Sequence, residues 1–200
     1  EDSASDCADR ISGILRDEVE KLTILSRFPR IVDYVEARNH EHALANPGQV
    51  LGETAPLPVA AATDMDRLWP SLSDTDPRID ALLHNELADR LRMLTAVNGQ
   101  PRQLMVSNIY GEVIAANART ADFFQADETW WQAAYDSGRG RIYISSVTAN
   151  PAGGNPIVTI ALPLYGTADG KRVVIGILKD KIPVNWVLAP LHEVCCGVRK

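Results

Sequence analysis

Two adjacent tryptophans, Trp130 and Trp131, constrain this chain more than any other feature of its sequence. Each indole buries on the order of 200 Å² of apolar surface and wants an acceptor for its N–H. Neighbouring residues on a helix or a strand cannot present both rings to the same face. At least one ring must therefore line a pocket or close over one. The pair lies in Ala126-Asp127-Glu128-Thr129-Trp130-Trp131-Gln132-Ala133-Ala134-Tyr135. A short helix is expected over 128–136, opened by carboxylates at the end where a helix macrodipole favours them.

Around the pair the hydrophobic pattern is that of strands. Residues 104–108 and 113–116 read as short strands joined by a turn at Tyr110-Gly111-Glu112, and 141–147 as a third. Residues 157–164 and 172–178 form a hairpin through Thr167-Ala168-Asp169-Gly170, with Asp-Gly as the turn signal. Five antiparallel strands, with helices before the sheet and a long lid at 117–140 between strands two and three, make an α+β fold.

Upstream, Ile11, Ile14, Leu15, Val19, Leu22, Leu25 and Phe28 recur at three- and four-residue steps, which predicts a helix over 6–28. Pro29 ends or kinks it, and a second helix is expected over 31–38. The long helix suits core packing, and also a homodimer seam. Residues 46–62, rich in Pro and Gly, read as loop, anchored by Leu68-Trp69-Pro70. Asp76-Pro77 opens a helix with Ile79, Leu82, Leu83, Leu87, Leu91 and Leu94 as its buried stripe and Gly99 as its stop. The expected organisation is a helical stalk and loop over 1–62, a sensor domain over 63–182, and an extension over 183–200.

The chain has 200 residues, 46% hydrophobic and 23% charged, so it can bury a core. Its net charge of -6 comes with no basic cluster, which argues against a nucleic-acid partner. No apolar run reaches the roughly 18–20 residues of a membrane span, so a membrane enters only through segments outside this chain. Cys7, Cys195 and Cys196 cannot close a disulfide framework. The four histidines lack the spacing of three or four convergent metal ligands, and no metal or cofactor is expected. There is no nucleophile elbow, and Gly138-Arg139-Gly140 and Gly153-Gly154 lack the context of a phosphate loop.

What the residues do suggest is a binding pocket. Trp130, Trp131, Tyr135 and Tyr143 supply aromatic walls. Asn117, Thr120, Ser145, Asn150 and Thr159 supply neutral hydrogen bonds, and Lys179 and Lys181 supply charge. This mix suits a small polar ligand enclosed by a lid. Each aromatic reads equally as core, and each lysine more readily as a solvated charge at the end of the last strand.

Five segments occur in order: Asn108-Ile109-Tyr110-Gly111-Glu112-Val113-Ile114-Ala115-Ala116, Phe124 through Ala134, Gly140-Arg141-Ile142-Tyr143-Ile144-Ser145, Ile160-Ala161-Leu162-Pro163-Leu164, and Val174-Ile175-Gly176-Ile177-Leu178. Together they resemble a Cache domain, or PDC sensor domain, over residues 65–182. The resemblance implies a PAS-like five-stranded antiparallel sheet behind a long N-terminal helix. It also implies an extracytoplasmic ligand-sensing domain of a bacterial transmembrane receptor: a histidine kinase first, then a chemoreceptor or a cyclase. Such a domain binds rather than catalyses. Its ligand would be a small carboxylate, amine or amino acid held between sheet and lid, and its first helix would contribute to a dimer.

Three departures bear on the ligand. Where the amino-acid-binding subgroup has an Arg two residues before the Trp, this chain has Glu128. The subgroup's Tyr-x-Asp corresponds to Thr148-Ala149-Asn150. Its last-strand Asp falls near Asp180-Lys181. If Lys181 faces the pocket a carboxylate fits, and if Asp180 does, an amine. Two other classes stand beside this reading. One is a ligand-independent structural or dimerisation ectodomain with the Trp pair as core. The other is a small enzyme, which needs a nucleophile and a base within reach.

Overall fold

The computed structural model describes residues 2–49, 51, 56, 58–97, 102–150 and 153–189. The apolar stripe of 6–28 becomes helix α1 (Asp2–Ser26), with Leu22 and Leu25 buried. Pro29 then opens α2 (Pro29–Ala45) at a first-turn position, where its missing N–H is no loss. α2 runs past the expected end at Arg38 because polar residues continue its inner face. Ile31 and Val35 are followed by Asn39 and by buried His42. Asn39 donates to the Ile175 carbonyl at 2.7 Å and accepts from the Ile109 N–H at 3.1 Å, so a half-buried amide continues the inner face by bonding two backbones.

Of the stretch expected as loop, residues 60–62 already belong to α3 (Ala60–Leu68). The Leu68-Trp69-Pro70 anchor is Trp69, buried, with its Nε1 donating to the Thr120 carbonyl at 2.9 Å. Asp76 caps α4 (Pro77–Leu83) by accepting from the Arg78 N–H at 3.0 Å. The single helix expected beyond it is two, broken at His84-Asn85 before α5 (Glu86–Val97). The Asn85 side chain explains the break. Its carbonyl accepts from the Ala88 N–H at 2.9 Å as a new cap, and its amide donates to Ile114 O at 3.0 Å. The expected stop at Gly99 lies outside the described residues.

The sheet comprises β1 (Gln103–Asn108), β2 (Val113–Ala116), β3 (Tyr143–Ile144), β4 (Ile157–Ala168) and β5 (Lys171–Pro183). Their order is β2-β1-β5-β4-β3, with every pair antiparallel. This is the five-stranded α+β arrangement expected. The third strand is far shorter than 141–147, because the Ser145 hydroxyl takes the Thr159 N–H at 2.9 Å and the ladder is broken there. Asp169 and Gly170 close the β4–β5 hairpin with φ of 51° and 72°, as its two-residue turn requires.

One face of the sheet packs Leu104, Val106, Ile160, Leu162 and Leu178 against Leu22, Leu25, Val35 and Leu91 of α1, α2 and α5. The other packs Met105, Ala161 and Ile177 against Phe124, Trp131 and α6 (Thr129–Tyr135). A short α7 (Val184–Leu188) follows β5. β5 runs between β1 and β4, so its successive side chains alternate between a helix-covered face and a face under the 117–140 connection.

Candidate functional site

The site is built from the end of β5 and the connection above it. Lys179 lies across from Met105 and Ala161, and Lys181 across from Gln103 and Thr159. Both therefore share the face that α6 covers. The connection is held over them at several points. Asp66 Oδ1 accepts from the N–H groups of Phe123 and Phe124 at 2.9 and 3.0 Å. Gly111, at φ 85°, comes so close to the connection that an added Cβ would sit 2.3 Å from Ala126 Cβ.

α6 divides the tryptophan pair, since successive helix residues point about 100° apart. Trp131 is wholly buried, donates through Nε1 to the Ser107 hydroxyl at 2.8 Å, and packs on Tyr135 at 5.0 Å between rings. Trp130 turns instead to a cavity of about 340 Å³. There Lys179 Nζ lies 3.8 Å from its ring centroid, a cation–π geometry.

Of the residues chosen from sequence, Thr120, Trp130, Tyr143, Ser145, Thr159, Lys179 and Lys181 line this cavity. Trp131 and Tyr135 lie in the core beneath it. Asn117 accepts from the Leu104 N–H and donates to the Arg102 carbonyl, both at 2.9 Å, joining β2 to the start of β1 away from the cavity. Asn150 is also outside the lining, and its carbonyl accepts from Gly153 N at 2.8 Å. The cavity adds Asp122, which no sequence motif marks, together with Gln125 and Glu128 from a segment that carries the resemblance and Thr148 from one of its departures. Glu128 holds the cap position of α6, yet its carboxylate makes no cap bond. It faces the cavity rather than the helix end.

Neither lysine has a direct ion pair or a hydrogen bond among the described residues. Burial strips water from the Lys179 ammonium and brings its pKa down to about 7, with the Lys181 charge acting the same way and Glu128 and Asp122 opposing less. Lys181 is lowered by burial too. Burial raises the Asp122 carboxyl, and Glu128 and Asp66 add to that. Between about 7 and 10.5 the unfolded chain therefore holds the Lys179 proton more tightly, and stability rises with pH across that window. Lys179→Met is expected to raise the melting temperature at neutral pH, with the gain shrinking toward pH 10 in paired thermal melts. The same offset at every pH would place the ammonium in solvent.

Asp180 points the other way. It is fully buried on the helix-covered face, paired with Arg102, whose guanidinium also lies 2.8 Å from Glu18 of α1. The Trp186 ring of α7 covers Arg102 at 5.6 Å. Burial pushes Asp180 up to about 6 against the pull of Arg102. Register thus decides between the alternatives left open by the sequence: lysines, not Asp180, face the cavity.

A larger groove of about 990 Å³ runs between α1, α2 and β4, but its charged residues, Arg27, Glu36 and Arg172, are exposed. Among the described residues no cluster of His, Cys, Asp or Glu could hold a metal ion. No described helix is long and apolar enough to cross a membrane. Residues Cys195 and Cys196 lie outside the described residues.

No family model matches the chain, and no curated protein matches its sequence. Solved structures do resemble it in shape. One is the ligand-binding domain of the Campylobacter jejuni chemoreceptor Tlp3 in complex with 4-methylisoleucine, at 14% identity over 97% of this chain and 64% of that one, with a TM-score of 0.43. Another is the ligand-binding domain of the Pseudomonas aeruginosa amino acid chemoreceptor PctC with GABA, at 12% identity, 66% of this chain, 56% of that one and a TM-score of 0.39. A third is the Escherichia coli DcuS sensor domain, at 11% identity, 66% of this chain, 94% of that one and a TM-score of 0.37. The chain spans less than two thirds of the length of the two chemoreceptor domains.

Proposed function

We propose that this chain is the extracytoplasmic ligand-sensing domain of a bacterial signal-transduction receptor, and that it binds a small carboxylate beneath the 117–140 lid. The observation that carries the reading is the end of β5. Lys179 and Lys181 enter one cavity from the same strand face without a direct ion pair among the described residues. Asp122 and Glu128 share the cavity without pairing with either ammonium among the described residues, so both cations stay open to an anionic guest. Trp130 and Tyr143 supply apolar walls, and Ser145 and Thr159 hydroxyls to orient it. The resemblance to Cache domains implies a transmembrane parent receptor, a histidine kinase first, then a chemoreceptor or a cyclase. Ligand affinity that differs between two arrangements of the lid would shift their populations. Exposed Ile24 and Phe28 on and just after α1 support a homodimer through that helix.

The test is a thermal-shift panel of carboxylates, amines, amino acids and nucleobases. A ligand at about 100 times its Kd stabilises the fold by roughly 2.7 kcal/mol, or about 5–10 °C for a chain of this size. A carboxylate hit that Lys181→Met abolishes is the expected result. Hits among amines alone would overturn the carboxylate assignment. Silence across the panel would return the chain to a ligand-independent structural ectodomain.

A further inference from the structure

We propose that Lys179 is a covalent capture site for 2-oxo carboxylates: its amine forms a reversible imine with the ligand's carbonyl carbon while Lys181 holds the carboxylate. The proposal rests on the carboxylate reading above and goes beyond it, from charge pairing to bond formation. A lysine suited to imine formation is desolvated, lies beside a second cation, and has no carboxylate clamped to it. Lys179 has all three properties. It is 6% exposed, with Nζ over the face of Trp130 at 3.8 Å and no direct ion pair or hydrogen bond to that ammonium among the described residues. Lys181 stands two residues along on the same face of β5. A pKa near 7 keeps a substantial share of the amine unprotonated at neutral pH.

The two lysines also set the ligand's shape. Residues i and i+2 of a strand lie about 7 Å apart along it. An acid whose carbonyl is next to its carboxylate can place one group toward each side chain. A plain carboxylate can satisfy Lys181 but offers Lys179 nothing to react with.

The chemistry balances within the site. The Lys179 lone pair forms the C–N bond as the carbonyl π pair moves to oxygen, and one N–H proton passes to that oxygen to give a neutral carbinolamine. The nitrogen lone pair then expels the hydroxyl, which takes a proton from an acid and leaves as water, so an iminium remains. Asp122 is the acid that the cavity offers. It lines the same space, and burial together with Glu128 and Asp66 lifts its carboxyl above the usual carboxylate value against the pull of Gln125 and Lys179. Its carboxylate, once formed, balances the iminium charge. Hydrolysis reverses each step, and nothing is oxidised or reduced.

The test is borohydride trapping of the full chain with pyruvate as probe, read by intact and peptide mass spectrometry, beside thermal shifts with pyruvate and with lactate, which has no carbonyl. The expected result is a single carboxyethyl adduct on Lys179, at least about tenfold above Lys21 or Lys171, because an ordinary lysine near 10.4 is almost wholly protonated at neutral pH. Lys179→Met, which removes a buried charge and keeps the fold, should lose the adduct, and Lys181→Met should reduce it. Even labelling of all lysines, labelling of Lys181 alone, or no labelling while pyruvate and lactate stabilise equally would overturn the imine and leave the carboxylate reading standing. Absence of both labelling and any carboxylate shift would overturn both.

Discussion

Arg102→Ala is expected to destabilise the domain by about 3–5 kcal/mol, since removing one partner of a buried ion network leaves charge uncompensated. The guanidinium lies between Asp180 of β5 and Glu18 of α1, all three almost wholly inaccessible to water. Lys21 reaches one oxygen of Glu18 at 2.6 Å from a largely exposed position and does not touch Asp180. In the variant the two carboxylates would have to protonate or hydrate. The defect should therefore be smaller at pH 5 than at pH 8, because Asp180 already protonates near 6 in the intact network. Urea unfolding at the two pH values measures it. Combining Glu18→Leu, Arg102→Met and Asp180→Leu should recover most of the loss, as apolar replacement of a buried ion network is often neutral or better. A loss below about 1 kcal/mol for Arg102→Ala would mean that the guanidinium is not what neutralises these carboxylates.

The second large effect separates the two tryptophans. Trp131→Ala should cost about 3–5 kcal/mol by opening a cavity beneath α6. It also leaves the Ser107 hydroxyl without its Nε1 donor and Tyr135 without its ring partner. Trp130→Ala should leave the domain folded, because that ring borders a cavity on one side. Its effect belongs to binding: a loss of the Lys179 contact and of one wall, expected to weaken carboxylate affinity by about tenfold, equivalent to 1.4 kcal/mol. Melting curves for both variants, with and without a carboxylate found by the panel, distinguish the roles. Equal destabilisation by the two substitutions would place both rings in ordinary core.

That division of labour was partly legible beforehand. Adjacent side chains on a short helix must diverge, so one indole had to line a pocket, but which one depends on how α6 sits on the sheet. Trp131 goes inward because Ser107 of β1 waits there with a hydroxyl acceptor. Tyr135, one turn on, follows it. The same holds for Asn117: an amide after a strand reads as a pocket group, and only the closure of β1 on β2 shows it bonded to two backbones.

Features written in local spacing could be read directly from the chain. The strand runs, the Asp169-Gly170 turn and the Asp76 cap rest on residues a few positions apart, whose backbone preferences act before any packing. Features that depend on residues far apart could not. Asn85 breaks a helix by bonding β2, and Asn39 and His42 prolong another where apolar periodicity ends. Glu18, Arg102 and Asp180 meet only when α1, β1 and β5 do. The orientation of Lys179, Asp180 and Lys181 follows from the same cause. A strand alternates its side chains strictly, and a slip of one residue reverses every one of them. The sequence determined that β5 would carry two cations flanking an acid. Pairing of β5 with β1 on one side and β4 on the other decided that the cations face the cavity and the acid the core.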